Sequence, residues 1–382
     1  MGVQFFVLSF RSLASNVVYD AIYNVENIFA KSCDGMILAP KARQLFVKNH
    51  HTFESIPTIK NINAKVIDKT IGRYSVINPL DYLVAEKSFS KKVLILFAIS
   101  GSQLDILSCL PKWRQNFDTV IAYICDSWGF ETYSKNIRKI DHLFVALPGL
   151  VDPLKKTFGI PVSLVPFASD VLGQGSNQEA RGIDVTSFGR MPMQYHDYLF
   201  QSFNQKSSPR LYYRFSPRAK EKFPSLPYEN RSDRETTNLF YHILRKIRIL
   251  LAFDTLYPGQ QREFPESIIT FRWFDGISTG CVLVGKRPTN PLMNELFDWE
   301  DSTIEIPDSP EQSPEFIEDL LKDADRIKQI SRRNYYHSVC KHDWRFRIKA
   351  ILEEAQLPLP TPLINELEEL KLLRLRLEQE EG

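Results

Sequence analysis

A chain of 382 residues is longer than one ordinary hydrophobic core organises, and it predicts two domains. Hydrophobic residues make up 43% and charged residues 25%, the balance of a globular protein, and no apolar run reaches the length of a membrane span. Lys plus Arg number 48 against 46 Asp plus Glu, a net charge of +2, so the basic excess of a nucleic-acid-binding protein is missing.

Val3–Leu8 reads as a first strand, since the segment MGVQFFVLSFRSLAS has no basic leader or cleavage site. A polar turn, Ser9–Ser15, follows, and Val17, Val18, Ile22, Val25 and Ile28 then keep a helical period. The turn lacks the glycines of a dinucleotide fingerprint, which argues against a nicotinamide or flavin cofactor. Arg11, Ser12 and Asn16 are either acceptor contacts or a solvated turn. Met36–Leu38 is a short second strand. The stretch from Lys41 to Pro79 has few clear periods, and its adjacent His50 and His51 lack a further ligand at a metal-binding spacing. VLILFAI ends in Ser100-Gly101-Ser102, and TVIAYIC (119–125) ends in Asp126-Ser127-Trp128-Gly129. Both are buried strands whose carboxyl ends carry polar residues, where open α/β sheets place ligands. The tetrad supports two readings: a base, hydroxyl and ring for a sugar acceptor, or a helix cap by Asp126 with Trp128 in the core. HLFVAL, with a structural His142, and SLVPF (163–167) complete the first domain, 1–170.

Residues 171–182, small and polar, read as a linker. The strand pattern restarts at IDVTSF (183–188) and runs into Gly189-Arg190, opening a second domain, 183–352. Tyr241, Leu244, Ile247 and Leu251 give a helical stripe, with strand expected from Leu250, and the loop Asp254–Glu266 follows. The stretch from Phe264 to Pro288 is the centre of this domain: a helix with Phe271, Phe274 and Ile277 facing the core, a break at Gly280, and a strand Cys281–Val284 ended by Gly285. The unpaired amides at the helix start suit a diphosphate.

Thr270-x-Arg272-x-x-Asp275-x-x-x-x-Gly280 and the apolar strand after it resemble the donor-site signature of GT-B glycosyltransferases, in particular the spore-maturation-type, family 1-like group. His342-Asp343-Trp344-Arg345-Phe346-Arg347 resembles that group's later His/Arg segment. The resemblance implies an α/β protein of GT-B architecture: two Rossmann-like domains facing across a cleft, the first for the acceptor and the second for a nucleotide-sugar donor. It implies a hexosyltransferase-type enzyme moving sugar to a hydroxyl on a glycan, a lipid-linked precursor or a cell-surface polysaccharide precursor, with no bound metal and no separate cofactor. Gly189, Arg190, Thr270, Arg272, Asp275, Thr279 and Gly280 are the donor-site residues so implied. Asp275 stands where Glu is usual, and the basic partner expected after Arg190 is missing, a role that Arg245, Lys246 or Arg248 is expected to fill. Tyr257 is expected to stack on the base, Asp126 to act as catalytic base, and Asp275 to position the sugar or ribose. The paired acid eight residues before Asp275 is replaced by Ser267. The alternative is a non-catalytic GT-B-like sugar-binding or scaffolding module.

Beyond the signature, Asn290–Pro314 reads as connecting surface, one helix spans Pro314–Ile330, another spans Arg332–Leu352, and the tail is 353–382. Its Leu363, Leu367, Leu370, Leu373 and Leu377 form an amphipathic stripe with three readings: packing across the first domain, a homodimeric coiled coil, or contact with a membrane surface. Five scattered cysteines (Cys33, Cys109, Cys125, Cys281, Cys340) without a CxxC predict free thiols in a reducing compartment, hence a cytoplasmic protein, with peripheral contact at the inner membrane face as a further option.

Overall fold

The computed structural model describes residues 2–11, 17–40, 77, 89–177, 180–215, 233–258 and 266–381. Ser12, Asn16, His50 and His51 lie outside the described residues. Contact density divides the chain into two units, Met1–Pro166 with Arg347–Glu366, and Phe167–Phe346 with Leu367–Gly382. Each is a parallel α/β unit.

The first unit is a six-stranded sheet in the order β2-β1-β3-β4-β5-β6. Its strands are β1 (Gly2–Leu8), β2 (Met36–Leu38), β3 (Phe89–Ser100), β4 (Thr119–Asp126), β5 (His142–Val145) and β6 (Val162–Leu164). Val93–Ala98 and Val120–Ile124 are buried without alternation, as strands covered on both faces require. Helix α1 (Val17–Ser32) buries Ile22, Val25, Ile28 and Phe29 at helical spacing, and Phe29 meets Phe5 and Phe97 edge-on at 5.9 and 5.8 Å. Two helices follow, α2 (Trp113–Asn116) and α3 (Val151–Phe158).

The second unit is a five-stranded parallel sheet in the order β11-β10-β9-β7-β8. It comprises β7 (Ile183–Phe188), β8 (Tyr212–Phe215), β9 (Ile247–Phe253), β10 (Val282–Lys286) and β11 (Ile304–Glu305), with helix α4 (Val171–Gln174) before the first strand and α5 (Met193–Phe203), α6 (Asp233–Leu244), α7 (Phe271–Ser278) and α8 (Leu292–Leu296) between strands. Ile249, Leu251 and Phe253 of β9 enter a cluster with Tyr195 and Leu199 of α5 and with Ile317 and Leu320. The alternate residue Leu250 faces α7, where Gly276 leaves room for Leu250 and Leu283. The sheet is therefore covered on both faces, and the buried polar side chains of β7 are hydrogen-bonded: Thr186 to the Tyr213 carbonyl and Ser187 to Tyr212 OH.

Four sequence expectations change here. Ile247 and Leu251 belong to β9, because α6 ends at Leu244 and the chain turns through Lys246 into the sheet. Gly285 lies inside β10, paired with Ala252 and Glu305. Asn290–Pro314 is more than surface: Met293, Phe297, Trp299 and Ile306 are buried, and α8 and β11 interrupt the segment. The helices expected at 314–330 and 332–352 are divided otherwise, into α9 (Ser313–Lys322), α10 (Ala324–Lys341) and α11 (Trp344–Glu354). Asp323 caps α10 through the Arg326 amide at 3.1 Å, and the chain breaks again at His342-Asp343.

Helix α12 (Thr361–Glu381) divides its stripe between the units. Within the first, Leu363 is buried and Glu366 accepts from Ser32 Oγ at 2.5 Å and pairs with Lys31 Nζ at 2.8 Å. Within the second, Leu370 packs with Val171, Tyr335 and Val339, flanked by Leu373 and Leu377. Of the stripe, Leu363 and Leu370 are buried and Leu367, Leu373 and Leu377 half-buried, while Ile364, Leu372 and Leu375 on the same helix are exposed. Among the described residues no helix is long and apolar enough to cross a membrane.

Candidate functional site

All five strands of the second unit run the same way, so their carboxyl ends share one edge. The chain passes from β7 to β8 on one side and reaches β9 on the other, which makes the β7/β9 junction the point where strand order reverses. Open α/β sheets bind ligands there.

Gly189 and Arg190 lie directly after β7. Gly189 has φ +69°, and an added Cβ would collide with Nη2 of Arg272. Arg272, in the first turn of α7, donates from Nη1 to the Arg190 carbonyl at 2.7 Å, and its guanidinium carbon lies 5.3 Å from the centre of the Phe188 ring. Its Nε is buried without a partner among the described residues. Burial, and then the neighbouring Arg190 charge, lower its pKa to about 10, which leaves it protonated at neutral pH. Thr270 is the N-cap of α7, with extended backbone and no side-chain capping bond; Trp273 N donates to its carbonyl at 3.1 Å, and no side-chain cap covers the amides of Phe271 and Arg272.

The loop after β9 is pinned by Asp254, a residue that the sequence pattern gave no reason to single out beyond its place at a strand end. Its carboxylate accepts from Leu256 N at 3.0 Å and from Thr289 N at 3.1 Å. Tyr257 lies just beyond. Its ring stacks on Phe253 at 5.9 Å, Lys286 Nζ is 5.7 Å from its centre, and its hydroxyl bonds Tyr195 at 3.0 Å. Tyr257 is half-buried, with part of its ring against this packed wall.

Asp275 is one turn further along α7 and buried. Oδ1 accepts from Tyr241 OH at 2.7 Å and Ser169 Oγ at 2.9 Å, and Ser169 Oγ also bonds Ser278 Oγ at 3.0 Å. Burial pushes its pKa up to about 7 against the pull of the two hydroxyl donors. The side chain expected to meet a sugar therefore fastens α7 to Ser169 and Tyr241. Ser169 is also joined to the His342–Trp344 segment by backbone bonds of 3.0 Å in both directions. Beside it Arg345 Nη1 reaches Asp170 at 2.6 Å and Asp343 at 3.2 Å, all three buried.

The remaining expected donor residues lie at the other edge of the sheet. Lys246 immediately precedes β9, and its carbonyl accepts from Ile183 N at 2.9 Å. Thr279 is buried and donates to the Asp275 and Gly276 carbonyls, closing the end of α7. Gly280 has φ +68° and no room for a Cβ against Arg181 Nη2 and Ser331 Oγ. Arg245 and Arg248 are engaged with Gln174 and Asp184. The structure thus gathers Gly189, Arg190, Tyr257, Thr270 and Arg272 at one edge and puts Lys246, Thr279 and Gly280 at the opposite one.

In the first unit, Asp126 ends β4 in register with Ser100 of β3. The expected helix cap is absent, because the short turn Phe130–Thr132 starts from Gly129, and Trp128 is half-buried. Ser127 is fully buried with no partner for its hydroxyl among the described residues, while its carbonyl accepts from Tyr133 OH at 2.7 Å. Arg11 is held by Glu26 at 3.3 Å and by the Tyr23 carbonyl at 2.8 Å.

Residues 225–353 match the family model described as glycosyl transferase-like. Among solved structures the chain is similar to Anabaena Alr3699/HepE in complex with UDP and glucose, with 10% identity over 92% of this chain and 99% of that one and a TM-score of 0.49. It is similar also to the calicheamicin glycosyltransferase CalG4, at 11% identity, 94% and 99% coverage and a TM-score of 0.40. A third is a mutant of S. aureus TarM in complex with fondaparinux, alpha-GlcNAc-glycerol and UDP, at 10% identity over 69% of this chain and a TM-score of 0.42. The chain spans 54% of that TarM chain, about half its length. No curated protein matches this sequence.

Proposed function

We propose that the protein is a GT-B-type glycosyltransferase of the spore-maturation-type group that moves a hexose from a nucleotide-sugar donor to a hydroxyl acceptor on a glycan or a polysaccharide precursor. The observation that carries the reading is the Arg272 guanidinium packed against the Cβ-less Gly189, beside the uncapped amides of α7 and at the strand reversal between β7 and β9. The match of 225–353 to a glycosyl transferase-like model supports it.

On this reading the diphosphate lies at the first turn of α7, with Arg272 and the exposed Arg190 taking the charge that grows on the leaving phosphate. Fixed donors of this kind contribute about 2.7–4 kcal/mol each when removed from an active site, and they fill the role that a metal ion plays in other transferases. Asp126 takes the proton from the acceptor hydroxyl. Asp275 acts through α7, holding the helix that carries Arg272. The five free cysteines, four of them buried, support a reducing, cytoplasmic setting.

The burial of Asp275 favours one second reading, a module that binds nucleotide sugar without transferring it. A thermal-shift screen against UDP, GDP, CDP, ADP, dTDP and their sugars, with and without divalent metal, tests the donor site. A ligand at a hundredfold excess over its Kd adds about 2.7 kcal/mol of stability. Stabilisation by one nucleotide in the absence of metal is expected; no response to any of them removes both readings. Release of nucleoside diphosphate from the stabilising sugar nucleotide separates the transferase from the module.

A further inference from the structure

The loop leading into α7 leaves one hydroxyl unused. Ile268 N donates to Thr255 Oγ1 at 3.0 Å, tying the loop to the end of β9, and the Ser267 carbonyl accepts from Asn290 Nδ2 at 3.0 Å, tying it to the segment after β10. Ser267 is only 5% exposed, yet its Oγ has no hydrogen-bond partner among the described residues. A buried hydroxyl left unpaired costs about 1–3 kcal/mol, and interior polar groups are seldom left so. Three residues further on is Thr270, at most about 10 Å away along the chain. Next come the uncapped amides of α7 and the second orphan, Arg272 Nε. Trp273 Nε1 is also unpartnered, but its ring is fully enclosed, so no ligand reaches it. Apart from that ring, the groups here that want a partner are covered in the ligand-free fold but sit on residues that keep some exposed surface, and they are a hydrogen-bond donor and a hydroxyl able to act as one. Such a set fits a ligand that brings only acceptor oxygens.

We infer that the Ser267 hydroxyl is a further donor to the diphosphate of the bound nucleotide, holding an oxygen that Arg272 does not. The inference rests on the nucleotide-sugar reading of this edge and extends it to a residue standing where the resemblance calls for an acid. A neutral hydroxyl there neither repels the diphosphate nor serves as a nucleophilic carboxylate.

The test compares the wild type, Ser267→Ala and Arg272→Ala for ligand-free melting temperature and for affinity toward UDP, GDP, CDP, ADP and dTDP by calorimetry. Because the hydroxyl has no partner among the described residues, Ser267→Ala is expected to melt no lower than the wild type. It is expected to bind the preferred nucleoside diphosphate about tenfold more weakly, the range of one hydrogen bond to a charged group. Undiminished affinity in Ser267→Ala alongside loss in Arg272→Ala would overturn the inference and leave the donor site standing. So would a ligand-free melting temperature lowered as by a lost internal hydrogen bond. If no nucleotide binds the wild type, the inference and the reading beneath it fall together.

Discussion

Arg272 occupies the space that a side chain at Gly189 would fill, so the turn after β7 and the first turn of α7 form a single structure. Gly189→Ala therefore acts on the arginine as well as on the backbone: it strains a φ of +69° by about 1–2 kcal/mol and expels the guanidinium. Nucleoside diphosphate affinity is expected to fall at least tenfold in Gly189→Ala, as it does in Arg272→Ala, with both proteins folded by circular dichroism. A Gly189→Ala protein that binds nucleotide normally would show that the contact has no part in binding.

Lys246 supplies the contrast. It precedes β9 at the edge remote from Gly189, and Lys246→Ala is expected to leave nucleotide affinity within twofold of the wild type. A tenfold loss in calorimetric titration would mean that the ligand reaches the opposite edge.

Asp275 predicts a pH dependence of stability. Its pKa is about 7 in the folded chain against an ordinary 3.8, raised by burial and further by the nearby Asp170 charge, with Tyr241 and Ser169 donating to it. The folded state therefore keeps a proton that the unfolded chain has lost between about pH 4 and 7. Stability conferred on the second unit falls as pH rises through that window and levels off above it, by an amount on the order of 4 kcal/mol at about 1.4 kcal/mol per pK unit. Asp275→Asn, neutral throughout and able to accept the same two hydroxyls, is expected to flatten this part of the profile and to be the more stable protein at pH 8. Equal slopes in denaturant titrations of the two proteins from pH 4 to 8 would contradict this.

The sequence made β7, its Gly-Arg turn and the uncapped start of α7 legible, because each is a local pattern: a β-branched run, a glycine at its end, and an apolar helix period. The turn through Lys246 was not legible, because Ile247 and Leu251 fit a helical stripe as well as they fit alternate positions of a strand, and no Gly or Pro marks the change. The burial of Asp275 was hidden for a different reason. Its partners Tyr241 and Ser169 are 34 and 106 residues away in the chain, and no periodicity reports on side chains that meet only after folding. Phe297 and Trp299 sit among acidic residues and prolines, so their burial was hidden by the composition around them.

Arg345 holds Asp170 and Asp343 in the interior of the second unit. Replacing it by Met keeps much of the volume but leaves two buried carboxylates without their cation, and loss of one partner of a buried pair costs about 3–5 kcal/mol. The melting temperature is expected to drop by many degrees in Arg345→Met and to be partly restored when Asp170→Asn is added. Additive losses in the double variant would mean that the two residues do not form a pair.

The acceptor side turns on Asp126. Asp126→Asn is expected to abolish sugar transfer while nucleotide affinity is kept; full turnover in that variant would exclude it as the base.

Hydrogen–deuterium exchange with and without the stabilising nucleoside diphosphate tests the location of the donor site most directly. The account predicts slowed exchange at the amides of 187–191 and 267–273, with none at the turn through Lys246. Protection confined to the first unit, or spread without regard to these two segments, would contradict it.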